Sequence, residues 1–243
     1  MEHYSISFKD KMLVLSPVRE LSDEEYDRIK PIVEEMGGHW REKLKGFVIP
    51  SDKSHREVYT QRNEDIQFFP TPNTLAKRMV ELSGIQNWSS SDYPRVLEPS
   101  AGTGNLLDAL PKCVNPSMYI VEPDAENAET LIRKGYWMVN KLTFEEFSKR
   151  CKKLRKTMDF VIMNPPFSKS RDVIHTMMAY EFLKEGGTLV AIVSENAMYY
   201  ENEHSESFRK WLKDVDAYIE EIPYGSFRES GTTVDTVIIK VTK

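Results

Sequence analysis

Asp159-Phe160-Val161-Ile162-Met163-Asn164-Pro165-Pro166-Phe167 is the stretch on which the fold turns. Its first five residues form a short, largely apolar run, as expected of a parallel strand buried on both faces. Two prolines follow. A proline has no N–H for a sheet ladder and holds the residue before it in an extended conformation, so the strand ends at Asn164 on a rigid turn. In open α/β sheets, ligands sit beyond the carboxyl ends of such strands. The turn offers the carboxamide oxygen of Asn164, the carbonyl of Pro165 as a second acceptor, and the flat ring of Phe167. Two acceptors beside a ring suit the NH2 of a planar amine, on a purine or on an amide. Taken alone, the tetrapeptide is equally a proline-capped strand end with a core phenylalanine.

A second stretch separates these alternatives. Arg95-Val96-Leu97-Glu98 reads as a strand, Pro99-Ser100-Ala101-Gly102-Thr103-Gly104 as a loop, and Asn105 to Leu110 as the start of a helix. Glycines between strand and helix let backbone approach a ligand closely. The dinucleotide fingerprint is incomplete, because Leu107 stands where its third glycine would be. The next strand, Met118 to Val121, ends at Glu122, about 20 residues past the loop, where an acid holds a ribose diol in folds of this kind. None of the groups around Asn164 is a strong base. The reaction they suit needs none at the start, and transfer of a methyl group from a sulfonium is such a reaction.

Together these stretches resemble the amino-type S-adenosylmethionine-dependent methyltransferases, most closely the DNA adenine-N6 methyltransferases. That family has an Asn/Asp-Pro-Pro-aromatic catalytic loop, matched here by Asn164, Pro165, Pro166 and Phe167. Its glycine loop is matched by Glu98, Pro99, Ser100, Gly102 and Gly104. A Phe-x-Thr-Pro element precedes that loop, matched by Phe69-Pro70-Thr71-Pro72. The resemblance covers roughly residues 65 to 243. It implies that Phe69, Thr71 and Pro72 pack around the methionine end of the cofactor, and that Pro123 lies against its adenine. Relatives often carry an Asp-Phe pair after the third strand. Here Asn140 stands in the place of that acid. A later loop of the family lays an aromatic on the far face of the target base; Phe227 is the first choice for it and Tyr224 the alternate. Tyr199 lies on the segment after the strand Thr188 to Val193, where it meets either substrate or solvent.

The implied fold is an α/β, seven-stranded, Rossmann-like sheet flanked by helices, its last strand antiparallel. Residues 63–243 would form this domain, and residues 1–62 a small α+β module with a linker. The implied reaction methylates the N6 amine of adenine in DNA, duplex with a flipped base or single-stranded. RNA and protein glutamine remain alternative substrates, since methyltransferases acting on them share an Asn-Pro-Pro loop. A non-catalytic relict of the cofactor fold is a further alternative. DNA adenine methyltransferases with this motif order usually carry a target-recognition domain, and none is expected after Lys243. A loose or very short target, recognition by the N-terminal module, or a partner chain would each account for that.

Composition sets limits. The 243 residues carry a net charge of −5, which weighs somewhat against nonspecific phosphate binding without excluding a local basic face. Two cysteines, Cys113 and Cys151, have no metal-ligand spacing, so no metal is expected. No apolar run is long enough to span a bilayer and Met1 to Pro17 has no signal pattern, so no membrane partner and a cytoplasmic location are expected.

The remaining elements follow from local signals. Tyr4 to Val14 alternates as one or two strands. Ser22 and Glu25 form a capping box before a helix ending at Gly37-Gly38, with Pro31 inside it. His39 to Pro50 reads as a hairpin whose Trp40, Arg41, Lys43, Lys45 and Phe47 are either a nucleic-acid surface or aromatics packed on the helix. This module is also a candidate partner or homo-oligomer contact. Lys149 to Lys156 is strongly basic but precedes the catalytic strand, so it belongs to the sheet edge remote from Asn164. Helices are expected over Leu75 to Ser83, Ala125 to Lys134, Val173 to Leu183 (stopped by Gly186-Gly187) and Phe208 to Val215. Further strands are expected over Gly135 to Val139, Thr188 to Val193, Tyr218 to Ile222 and Thr236 to Val241.

Overall fold

The computed structural model describes residues 4–9, 12–17, 26, 30, 33–34, 39–41, 46–50, 69–90, 92–112, 116–136, 138–227, 230 and 234–243. The chain divides into two compact units, Met1–Asn63 and Glu64–Lys243. The first contains an antiparallel sheet of β1 (Tyr4–Lys9), β2 (Met12–Pro17), β3 (His39–Arg41) and β4 (Gly46–Pro50) in the order β1-β2-β4-β3. β3 and β4 are the expected hairpin, with Trp40 opposite Phe47. Tyr26, Lys30, Val33 and Glu34 are helical, and Tyr26 meets Trp40 edge-on at 5.6 Å between ring centroids. The capping box at Ser22 and Glu25, Pro31, the glycine pair at Gly37, Lys43, Lys45 and Cys113 lie outside the described residues.

The second unit is organised by a seven-stranded sheet. Its strands are β5 (Arg95–Glu98), β6 (Ser117–Val121), β7 (Val139–Asn140), β8 (Met158–Met163), β9 (Leu183–Ser194), β10 (Tyr218–Glu221) and β11 (Thr236–Thr242). The order is β10-β11-β9-β8-β5-β6-β7. β11 alone runs against its neighbours β9 and β10, as expected for the last strand. Helices α1 (Asn73–Ser83), α2 (Asn105–Asp108), α3 (Ala125–Arg133), α4 (Phe144–Arg150), α5 (Arg171–Tyr180) and α6 (Glu203–Asp214) complete the unit. From β5 the chain proceeds outward to β6 and β7, then returns across the sheet to β8. The strand order therefore reverses between β5 and β8, and the crevice at such a reversal is where ligands bind in open sheets.

Why the central strands are largely apolar, with little alternation, is clear from the side chains. On β8, Phe160 and Ile162 join a core with Ala76, Met79 and Val80 of α1. Val161 and Met163 face the other way, into a core with Phe144 and Phe147 of α4 and Phe182. β9 splits likewise: Val190 and Ile192 on the first side, Leu189 and Ala191 on the second. A strand that feeds two cores has no polar face to alternate with.

Several boundaries differ from expectation. β9 begins at Leu183, not Thr188, and α5 ends at Tyr180. Gly186 and Gly187 kink this strand where they were expected to stop a helix: Gly186 is left-handed, at φ 76°, and the register with β8 shifts between Met158 and Phe160. The third strand is only Val139–Asn140, because Gly135 closes α3 at φ 95° and Tyr136 turns aside to Asp108. α6 starts at Glu203, before the expected Phe208, since the Asn202 side chain accepts from Ser205 N at 2.9 Å as an N-cap.

A Cβ on Gly187 would lie 2.9 Å from the Met158 carbonyl oxygen, 3.0 Å from that of Lys184 and 3.2 Å from that of Asp159. Backbone oxygens in a sheet cannot swing aside. Gly187→Ala is therefore expected to lower the unfolding free energy by roughly 1–3 kcal/mol, read as a lower midpoint in denaturant titration. An unchanged midpoint would mean that the β8–β9 junction can spread.

Candidate active site

The site is assembled at the strand reversal from three segments: the loop after β5, the turn after β8, and the chain entering α1. Asn164 stands one residue beyond β8. Its Nδ2 donates to the Phe69 carbonyl at 3.2 Å and to Thr71 Oγ1 at 3.0 Å. Its Oδ1 is buried and has no hydrogen-bond partner among the described residues. The amide thus has its donor side occupied and its acceptor side vacant.

Aromatic rings form the wall beside it. Phe167 stacks on Phe69 at 6.2 Å with 20° between the planes, and meets Phe227 edge-on at 6.5 Å and 89°. Phe227 is only 2% exposed and belongs to the core, beneath Phe167. Tyr224 and Tyr199, each 69% exposed, lie in the segments following β10 and β9, on the same edge of the sheet as Asn164. Beyond Phe167 the chain takes a strained path: Lys169 and Ser170 are both left-handed, at φ 58° and 55°.

The glycine loop is drawn against the end of β6. Ala101 N donates to the Val121 carbonyl at 3.0 Å, and Gly102 N to Glu122 Oε2 at 2.6 Å. Glu122 Oε1 accepts from Asp124 N at 2.8 Å. Gly102 and Gly104 are left-handed, at φ 53° and 92°. At Gly104 a Cβ would meet Leu131 Cδ2 at 2.8 Å, so this glycine also admits the packing of α3. Glu98, 1% exposed, accepts from Ser100 N at 3.1 Å and from Ser100 Oγ at 3.3 Å through Oε1, while its Oε2 is buried without a partner among the described residues. Burial lifts Glu98 to about 8, against two opposing hydrogen bonds from Ser100 and with a contribution from the charge of Glu122. Glu122 is lifted to about 7, again chiefly by burial, against the backbone hydrogen bonds from Asp124 and Gly102.

The other candidate residues are placed as follows. Pro99 is buried, and Pro72 and Pro123 half-buried, beside these segments. Asn140 ends β7 and its Nδ2 is engaged by the Ile120 carbonyl at 3.0 Å. Lys149 to Lys156 precede β8 and lie at the opposite edge of the sheet from Asn164, as expected. Asn105 and Ser230 were not foreseen. Asn105 Nδ2 donates to the Thr71 carbonyl at 2.7 Å and Ser230 Oγ to the Pro70 carbonyl at 2.6 Å. A polar residue at the first position of α2 is the only local sign of the former. The latter spans 160 residues and has no local sign. Among the described residues no cluster of His, Cys, Asp and Glu could hold a metal, and no helix is long and apolar enough to cross a membrane.

Residues 86–217 match the family model described as methyltransferase small domain. The chain belongs to that family. Solved structures agree on the fold. The methyltransferase subunit of a type I restriction-modification system from Streptococcus thermophilus is 20% identical, with a TM-score of 0.60 over 72% of this chain. That overlap is 45% of the subunit's own length, so this chain spans less than half of it. A putative class I S-adenosylmethionine-dependent methyltransferase from Listeria monocytogenes is 16% identical, with a TM-score of 0.53 over 79% of this chain and 67% of its own. An O-methyltransferase from Bacillus cereus, in complex with S-adenosylhomocysteine, is 15% identical, with a TM-score of 0.50 over 80% of this chain and 93% of its own. No curated protein matches the sequence.

The cofactor is S-adenosylmethionine. The residues at the reversal suit it: two buried acids at adjacent strand ends, one with an unpaired oxygen, complement an ammonium group and ribose hydroxyls. Glu98, Glu122 and the loop through Gly102 would hold it.

The carboxyl groups make a pH signature. The folded chain retains protons on Glu98 and Glu122 that the unfolded chain loses near 4.5. When the folded state binds more protons, stability falls as pH rises. The ligand-free protein should therefore melt at progressively lower temperature between about pH 5 and 8, and Glu98→Gln should flatten that fall. An equally steep profile in the variant would show that Glu98 is hydrated.

Proposed function

We propose that this methyltransferase acts on the exocyclic N6 amine of adenine in DNA. The observation that carries the proposal is the buried, unpartnered Asn164 Oδ1 at the end of β8, within Asn-Pro-Pro-Phe. An acceptor held out of water is costly unless a donor comes to it, and the donor that fits beside a ring is a planar NH2. S-adenosylmethionine, when bound, supplies an electrophilic methyl group.

The chain's own residues prepare the amine. Asn164 Oδ1 and the Pro165 carbonyl accept its two hydrogens, drawing the nitrogen toward tetrahedral geometry and freeing its lone pair. The same acceptors stabilise positive charge as it develops on that nitrogen. Phe167 supports the base plane, and Tyr224 and Tyr199 offer exposed rings on the same edge for the swung-out base or its neighbours. Inside a duplex the N6 atom is out of reach, so the base leaves the stack before it enters the crevice. Positioning is the main catalytic device, since no strong base is needed at the start. The methyltransferase subunit of a type I restriction-modification system is among the proteins that share this fold, and we therefore take DNA as the first substrate to offer.

The test is transfer of labelled methyl to duplex DNA, single-stranded DNA, RNA and a protein extract, offered separately. Label is expected in DNA as N6-methyladenine, and Asn164→Ala should reduce the rate by about 100-fold or more while cofactor binding persists. Label only in RNA or protein would overturn the DNA assignment and leave the chemistry at Asn164 standing.

A further inference from the structure

An asparagine side chain has two faces of nearly equal shape and opposite chemistry. The proposed reaction needs the oxygen of Asn164 toward the substrate and the NH2 away from it. Rotating the amide by half a turn would offer donors to a donor. Something must select one orientation, and the residues around Nδ2 are those that could.

We infer that Thr71 is a positioning residue for Asn164, acting with the Phe69 carbonyl to hold its amide oxygen toward the substrate amine. The Phe69 carbonyl can only accept. Facing it with Oδ1 would oppose two lone pairs and leave Nδ2 in the buried place that Oδ1 now occupies. The Thr71 hydroxyl, 3.0 Å from Nδ2 and 4% exposed, receives the second N–H. With both hydrogens engaged, the amide can neither turn nor tilt, and donation from Nδ2 polarises the amide so that Oδ1 accepts more strongly.

The segment carrying these acceptors is itself fixed. Asn105, at the first position of α2, donates to the Thr71 carbonyl, and Ser230 donates to the Pro70 carbonyl. Phe69 stacks on Phe167, the residue that closes the catalytic tetrapeptide. The Phe69-Pro70-Thr71-Pro72 segment therefore ties the glycine-loop half of the site to the catalytic half. Its threonine side chain acts across the crevice on Asn164 rather than only toward the cofactor. This inference rests on the proposed amine methylation for what Oδ1 receives, but the latch is measurable without a substrate.

In 15N-labelled protein the side-chain NH2 of Asn164 is identified by its loss in Asn164→Asp. Its hydrogen exchange is expected to be at least about tenfold slower than that of the exposed Asn196 side chain. Thr71→Val keeps the shape and removes the acceptor, so it should accelerate that exchange. Thr71→Ser keeps the acceptor and should retain the protection. At saturating cofactor, Thr71→Val should lower kcat by about 10- to 100-fold with the cofactor Kd little changed, and Thr71→Ser should recover most of the rate.

Exchange in the wild-type protein as fast as at Asn196 would overturn the inference. So would unchanged exchange in Thr71→Val, or a rate loss that disappears when cofactor is raised to saturation, which would make Thr71 a cofactor contact only. If the valine variant fails to fold, the wild-type exchange rate decides. If the wild-type protein methylates no adenine, the proposed function falls, and the exchange measurements still decide whether Thr71 sets the orientation of Asn164.

Discussion

One buried oxygen without a partner constrains the rest of this molecule. Leaving an acceptor such as Asn164 Oδ1 unmet in a packed interior costs about 1–3 kcal/mol, and a chain free to relax would turn the side chain outward. Here it cannot. Nδ2 is held by two acceptors, the following prolines fix the backbone, and Phe167 is locked between Phe69 and Phe227. The left-handed pair Lys169 and Ser170 adds a further local cost immediately downstream. Both costs fall at the carboxyl end of β8, the most completely buried strand of the sheet. Interlocking side chains on both faces of that strand make the strain at its tip tolerable.

The sheet order turns this local arrangement into a site. Because the chain crosses from β7 back to β8, the loops after β5 and β8 lie side by side although some sixty residues separate them in sequence. Glu98 and Asn164 therefore come to the same crevice from opposite halves of the sheet. Neither half alone holds both the buried acids of the cofactor side and the acceptor proposed to meet the substrate amine. The segment from Phe69 to Thr71 closes the constellation across the two halves through its backbone carbonyls and the Thr71 hydroxyl, which meet the side chains of Asn164, Asn105 and Ser230.

Much of this was legible in the sequence because its signals are local. A five-residue apolar run before two prolines fixes both a strand and its end, and the strand–glycine–helix pattern around Gly102 fixes the second loop. What was misplaced depended on tertiary contacts. Gly186-Gly187 has the composition of a helix stop, and only the carbonyls of β8 close to Gly187 make it a kink within a strand. The family resemblance makes Phe227 a substrate-facing aromatic, yet it is buried in the core, edge-on to Phe167. Asn105 and Ser230 bond to backbone carbonyls far away in sequence, and a partner that is a carbonyl leaves no residue type to recognise. Thr71 was visible as part of a motif, but its hydroxyl's bond to Asn164 spans 93 residues.

The proposed amine chemistry also fits the groups at the turn after β8 better than hydroxyl methylation would. Methylation of a hydroxyl requires a group that can take the hydroxyl proton as attack proceeds, and such a group must lie within hydrogen-bond reach. Among the described residues, the groups hydrogen-bonded to the Asn164 amide are a backbone carbonyl and the Thr71 hydroxyl, neither of which is a base near neutral pH. The titratable groups of the site, Glu98 and Glu122, lie at the ends of β5 and β6 on the cofactor side, where burial keeps them partly protonated. An amine needs no proton removed before it attacks; it needs its hydrogens accepted and its lone pair aimed. A carboxamide oxygen pinned from behind meets that requirement, which is why an amine is the proposed nucleophile although the fold is shared with an O-methyltransferase: a common fold does not fix the substrate.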